Sequence, residues 1–203
     1  ASYALEEADT PVEVFEACRA FCSEMCDDPD CRDTVIYGGN NWYYAYGKSS
    51  AKEILEDSAY LAEMTEGIEN RPFMVMDDGW QIDHSDSYNG GPWRVGNADY
   101  GDMGELAAQM RAKNVRPGIW FRPLYDHSAD IPAEWRLERN AEVFDISVPE
   151  VLEHIAQDIR QLGDWGYELI KHDFSTYDIF GCWGFEMGTR PVSYTHLQAH
   201  ETC

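Results

Sequence analysis

The segment Tyr167-Glu-Leu-Ile-Lys171-His172-Asp173-Phe174 places a lysine two residues from an aspartate at the end of an apolar run. On a strand, alternation sends Lys171 and Asp173 to one face and His172 to the other. An ammonium beside a carboxylate keeps it ionised, as a carboxylate nucleophile requires at neutral pH; the same pair also serves as a structural ion pair. A second cluster, Asp77-Asp78-Gly79-Trp80-Gln81, follows the apolar run Pro72–Met76. Adjacent carboxylates at a strand end can hold a divalent metal, accept hydrogen bonds from ligand hydroxyls, or cap the next turn. A metal would need further ligands, and only Asp83 and His84 stand near in sequence. In the third cluster, Asn40-Asn41-Trp42-Tyr43-Tyr44-Ala-Tyr46, flat aromatic faces and amides suit a sugar ring and its hydroxyls, or plug the top of a barrel. Trp120 and Arg122 lie at the end of Val115–Phe121. The indole can floor a pocket or pack in a core, and the guanidinium can meet a ligand or, with acids in such excess, one of them.

The elements that must position these residues are legible from periodicity. Thr10-Pro11 opens an amphipathic helix over 11–26, followed by a turn at Cys26–Cys31. Strands are expected at Thr34–Tyr37, Pro72–Met76, Val115–Phe121 and Tyr167–Lys171. Between them lie helices capped by Ser49 and Ser50, running Met103–Lys113, and opened by Pro149. Repeated strand–helix units with near-continuous apolar strands indicate an α/β chain with a parallel sheet. No G-x-G-x-x-G follows the first strand, which disfavours a dinucleotide site. Polar residues cluster after every strand, the layout of a (β/α)8 TIM barrel with its site at the C-terminal face. About four βα units are present, half of eight; an open doubly wound sheet fits the same pattern.

Composition narrows the partners. The 203 residues carry 15 Lys+Arg against 38 Asp+Glu, a net charge of −23. Such a surface repels phosphate backbones and anionic lipid, so neither nucleic acid nor membrane is an expected partner. No apolar run reaches the ~18 residues of a spanning helix. Cys18, Cys22 and Cys26 step by four along one helix face and read as an apolar stripe, and the spacing on to Cys31 matches no common zinc pattern; Cys182 stands apart. No metal and no cofactor is expected. The polar segment Pro191–Cys203 breaks from the preceding pattern and resembles translated sequencing adapter, so His196, His200 and Cys203 are left out of the site.

Three motifs in order, MVMDDGWQ, RPGIWFRP and ELIKHDFS, resemble the melibiase-type α-galactosidases of glycoside hydrolase clan D, in a family 36-like form. The resemblance covers residues 34–190. It implies the first half of a (β/α)8 catalytic barrel, with residues 1–33 as a helical linker from an N-terminal domain; the adapter-like 191–203 is expected to be a non-native tail. It implies a retaining glycosidase that cleaves terminal α-galactosides on oligosaccharides or glycoconjugates. Asp173 matches the family's nucleophile and Lys171 its sugar-contacting lysine. Asp77 and Asp78 match the pair that binds sugar hydroxyls, and Trp80 and Trp120 match pocket-lining aromatics; Trp42 joins them from its own cluster. Arg139 matches a further sugar-binding arginine loosely. The sequence departs from the family at His172, where many members carry Trp and where the side chain should face the barrel wall, and at Arg122-Pro-Leu-Tyr-Asp, where Glu is common. The family's acid/base comes from the loop after strand six, so Asp178 and Glu186 are not assigned that role, and the chain alone is expected to be inactive. A related α-glucosidase or α-N-acetylgalactosaminidase, a sugar-binding barrel without catalysis, and a metal-dependent hydrolase are the competing readings. Oligomeric state is unassigned, and cytoplasmic location is only the default for the compartment.

Overall fold

The computed structural model describes residues 10–24 and 34–183. The chain divides into two units, of which the first contributes one described element, helix α1 (Pro11–Glu24). A reciprocal cap starts it: Thr10 Oγ1 accepts from Glu13 N–H at 3.3 Å while Glu13 Oε2 accepts from Thr10 N–H at 2.9 Å. Cys18 is exposed on α1; Cys26, Cys31 and the turn expected between them lie outside the described residues.

The second unit, Thr34–Glu186, is an α/β structure around a four-stranded parallel sheet. Its strands β1 (Gly38–Asn40), β2 (Phe73–Met76), β3 (Arg116–Phe121) and a fourth at Leu169–His172 lie side by side in chain order. Helix α2 (Trp42–Ala45) is a single turn after β1, and α3 (Ala51–Met64) starts at Ser50, whose Oγ accepts from Glu53 N–H. Helix α4 (Met103–Ala112) is capped by Asp102, which accepts from Glu105 N–H at 2.8 Å. A short antiparallel ribbon, β4 (Arg136–Leu137) and β5 (Asn140–Phe144), intervenes before α5 (Pro149–Trp165), leaving Leu169–His172 as β6 and Ser175–Phe180 as α6. Helices α3, α4 and α5 pack on one another in turn, with α3 on β2 and α4 on β3. Ile54, Met76, Trp80, Leu106, Met110, Ile119, Trp120 and Leu162 fill the core between helices and sheet.

The sheet is curved. Cα atoms of β2 and β6 approach within 8 Å across the intervening β3. Flat strands spaced ~4.8 Å apart would leave about 9.5 Å there. The four strands form no closed barrel.

The first strand differs from expectation. Val35 and Ile36 are exposed, and pairing starts only where Phe73 N–H reaches Tyr37 O at 2.8 Å, so the strand is Gly38–Asn40. The β-branched run sits before the sheet because the pairing needs glycine: a Cβ on Gly38 would stand 1.8 Å from Phe73 O. The last strand likewise runs Leu169–His172 rather than 167–171. The ribbon and the two short helices α2 and α6 carry no periodic signal and were not expected.

One polar residue occupies an apolar position. Val151, Ile155, Asp158 and Leu162 follow helical spacing on α5, and Asp158 is buried with them. Arg94 Nε lies at 3.9 Å and His154 Nε2 at 3.6 Å, and the His154 ring packs against Trp135 and Phe144. Burial pushes the Asp158 carboxyl up to about 7, Arg94 opposing, and burial pushes His154 down.

Two outcomes follow for the folded protein that contains this chain. Gly38→Ala is expected to destabilise it by at least about 3 kcal/mol in denaturant unfolding, since the clash is with backbone rather than a movable side chain. Between pH 4 and 7 the native state holds a proton on Asp158 that the unfolded chain releases, so this group's contribution to stability falls as pH rises through that window. Asp158→Asn removes that slope. Thermal unfolding at pH 4 and pH 8 is expected to show the variant gaining on the parent at the higher pH, by no more than about 4 kcal/mol. His154 contributes with the opposite sign below its ordinary value and is common to both proteins.

Candidate active site

The parallel register brings the C-terminal ends of β1, β2, β3 and β6 together. Asn40 pairs with Val75, Met76 with Ile119, and Trp120 with Lys171, so residues near each strand's C-terminal end face one cavity. This cavity of about 210 Å3 is lined by Trp42, Asp77, Asp78, Trp120, Lys171, Asp173, Phe174 and Trp183. It is smaller than the ~300–1,000 Å3 of sites for drug-sized ligands and suits one small polar ring.

Asp77 is almost completely buried and held from four directions. Its Oδ2 accepts from Lys171 Nζ at 2.6 Å and from Asn40 Nδ2 at 2.5 Å. Its Oδ1 accepts from Asp78 N–H at 2.9 Å, and its own N–H donates to Asn41 Oδ1 at 2.8 Å. Asp78 Oδ1 accepts from Gln81 Nε2 at 2.7 Å, with His84 Nε2 at 3.9 Å. Burial raises the Asp78 carboxyl above the ordinary aspartate range, while Gln81, His84 and Asn89 pull the other way.

Asp173 differs from the pair in access, its side chain being 32% exposed. Its Oδ2 accepts from Trp120 Nε1 at 3.0 Å and its Oδ1 from Phe174 N–H at 2.9 Å. Lys171 Nζ, bonded to Asp77, also stands 3.9 Å from Asp173 Oδ2. The lysine therefore bridges two carboxylates from two strands. Phe174 adopts a left-handed backbone, φ 67°, a conformation that costs of order 1–3 kcal/mol for a residue with a side chain.

Six of the seven sequence-expected site residues meet in this cavity: Asp173, Asp77, Asp78, Lys171, Trp120 and Trp42. Trp80 does not. It is fully buried beneath the site, its Nε1 donating to Trp120 O at 2.9 Å and its ring against Trp93 and Trp165. Gly79 explains the departure: at φ 117°, with Gly47 O only 2.4 Å from where a Cβ would stand, the turn directs the next side chain into the core. Asn40 and Asn41, read as hydroxyl binders, bond Asp77 instead. Tyr43, Tyr44 and Tyr46 are exposed and do not line the cavity. His172, expected to face a barrel wall, is exposed on the edge strand and bonds Ser175 Oγ. Arg122 pairs with Asp178, the acid-pairing alternative. Arg139 is exposed between β4 and β5. Asp83 pairs with His127 at 3.3 Å, and among the described residues no three candidate ligands converge on a metal site.

Phe174 and Trp183 join the lining without a sequence signal, since neither backbone handedness nor the fold-back of a later loop shows in residue type. A wider polar depression of about 570 Å3 lies beyond Asp78, lined by Ser49, Ser50, His84, Asp86 and Asn97 among others. It holds none of the seven expected site residues. The smaller cavity, where three carboxylates, one ammonium and flat aromatic walls converge, has the chemistry for binding a hydroxyl-rich ring and presenting a carboxylate to it.

No family model matches the sequence. The probable α-galactosidases C of Aspergillus flavus and Aspergillus oryzae are each 29% identical over 168 residues, covering 67% of this chain and 21% of the relative. The chain thus spans about a fifth of the length of the curated relatives it matches. Among solved structures, the galactosidase domain of the α-galactosidase–sucrose kinase AgaSK has a TM-score of 0.60 at 22% identity, over 73% of this chain and 22% of that one. The α-galactosidase TtGalA of Thermus thermophilus, in complex with p-nitrophenyl α-D-galactopyranoside, gives 0.56 at 24% over 80% and 34%. A variant of the family 36 α-galactosidase AgaA of Geobacillus stearothermophilus, in complex with stachyose, gives 0.53 at 24% over 69% and 21%. The curated matches are thus probable α-galactosidases, and the solved structures share the α/β fold of this chain.

Proposed function

We propose that this chain is part of the catalytic domain of a longer retaining α-galactosidase, with Asp173 as nucleophile. In this reading residues 34–190 form the first half of a (β/α)8 barrel, 1–33 a helical linker, and 191–203 a non-native tail. The curvature of the sheet and the chain-order neighbours β1-β2-β3-β6 support an arc of such a barrel. The observation that carries the function is the convergence of Asp77, Asp78, Lys171 and Asp173 on one ring-sized cavity, with Asp173 held by Trp120 and Phe174 yet open on one side.

The substrate is a terminal α-galactoside of an oligosaccharide or glycoconjugate. The AgaA variants complexed with stachyose and raffinose, and TtGalA with its nitrophenyl galactoside, support that class. Asp77, Asp78 and Lys171 hold the hydroxyls of the galactosyl ring, and Trp42 and Trp120 flank its apolar edges. Asp173 attacks the anomeric carbon, the glycosidic C–O bond breaks, and a covalent galactosyl-enzyme forms. A second carboxylic acid, ~5–5.5 Å from the nucleophile, protonates the leaving oxygen and then activates water. No residue of this chain is assigned that role, so the 203 residues alone are expected to turn over no α-galactoside; robust hydrolysis by them would reject this part of the reading.

In the intact protein that contains the chain, Asp173→Ala is expected to bring p-nitrophenyl α-galactoside hydrolysis to background while galactose still binds. Undiminished turnover would reject the nucleophile. The two tryptophans separate by their placement. Trp42→Ala is expected to raise KM about tenfold, in line with an aromatic contact worth roughly 1 kcal/mol beyond its buried area. Trp80→Phe instead lowers the unfolding midpoint and leaves KM within twofold, because it loses a buried hydrogen bond outside the cavity.

A further inference from the structure

Arg122 lies at the end of β3, next to the cavity but outside its lining, and is buried together with its partner Asp178 on α6. Its Nε donates to Asp178 Oδ2 at 3.0 Å, its Nη2 to Asp178 Oδ1, and its Nη1 to Asn89 Oδ1. The planar guanidinium also lies between two rings, 3.9 Å from the Tyr125 centroid and 4.3 Å from that of Phe174. A fork that grips a carboxylate edge-on while stacking by its faces is a geometry that lysine cannot reproduce.

What this clamp holds is the turn that follows the candidate nucleophile. Phe174 is left-handed, lines the cavity, precedes the first residue of α6, and gives its N–H to Asp173 Oδ1. A strained backbone persists only where its surroundings over-determine it. Here the ring of Phe174 is held by Arg122 from β3, and α6 is tied to the same guanidinium through Asp178, whose N–H bonds Phe174 O at 2.9 Å. One cation therefore fixes both ends of the peptide geometry that orients the Asp173 carboxylate.

We propose that Arg122, through Asp178 and Phe174, is a positioning residue for Asp173. It touches neither substrate nor Asp173; it sets the angle at which the carboxylate meets the anomeric carbon. This rests on the reading of Asp173 as nucleophile.

The test uses the intact protein with p-nitrophenyl α-galactoside, comparing Arg122→Lys, Asp178→Asn and the double variant, with thermal unfolding followed in parallel. Each single variant is expected to lower kcat at least tenfold with KM within threefold, at temperatures where the protein remains folded. The double variant is expected to be no worse than the weaker single one, because both changes remove the same clamp. A lowered unfolding midpoint with kcat unchanged, or a change confined to KM, would overturn the proposal and leave a merely structural ion pair. Should the charge variants fail to fold, Phe174→Leu keeps the apolar bulk and removes the ring face; a tenfold loss of kcat supports the clamp and an unchanged kcat overturns it. The two readings fail differently. Full activity in Asp173→Ala removes the nucleophile and this proposal with it, whereas an inactive Asp173→Ala beside a fully active Arg122→Lys overturns the clamp alone.

Discussion

Three carboxylates share a cavity with room for about one sugar ring, and a single lysine stands among them. Bringing carboxylates together in a partly desolvated space is costly, and fixed donors must offset the cost. Lys171 serves two of the three, bonded to Asp77 at 2.6 Å and reaching Asp173 at 3.9 Å. Cations are scarce in a chain with 15 Lys+Arg against 38 acids, so the placement of this one dictates much else. It requires that β6 lie beside β3 in the register that sets Lys171 opposite Trp120. That register in turn brings the Trp120 indole N–H to Asp173. Neutral donors complete the set, Asn40 on the Asp77 carboxylate and Gln81 on that of Asp78, while Asn41 Oδ1 accepts from Asp77 N–H.

The fold's local peculiarities serve this arrangement. Gly38 lets β1 approach β2 closely enough for Asn40 to reach Asp77, and Gly79 folds the chain after Asp78 so that Trp80 becomes a floor beneath the site rather than a wall of it. On the other side, the left-handed Phe174 turns its N–H onto Asp173 and leans its ring on Arg122. The carboxylate pair and the single accessible carboxylate thus play different parts because their surroundings differ. Asp77 and Asp78 are enclosed, whereas Asp173 is pinned on one side and open on the other.

Most of the site was legible in residue order because strand alternation and strand ends are local properties. Lys171 and Asp173 share a face by periodicity alone, and Asp77-Asp78 had to emerge at a strand end after an apolar run. Trp80 misled because residue type does not reveal which way a turn swings; the handedness of Gly79 decided it. Asn40 and Asn41 were recognisable as polar groups near the site, but whether an amide faces ligand or a neighbouring acid depends on contacts 36 and 37 residues away. The first strand moved from Thr34–Tyr37 to Gly38–Asn40 because close backbone approach outweighed β-propensity. Asp158 broke an otherwise apolar helical face in plain view with His154 one turn before it, yet its other partner, Arg94, meets it only in three dimensions.

The central claim is that Asp173 forms a covalent bond to the substrate's anomeric carbon. The direct measurement is to trap that bond in the intact protein with a 5-fluoro-α-galactosyl fluoride, whose fluoride leaves while the ring fluorine slows hydrolysis, and to map the added mass by peptide sequencing. One fluorogalactosyl group is expected on Asp173. A label on another residue, or no adduct together with release of β-galactose as the first product from an ordinary α-galactoside, would contradict it.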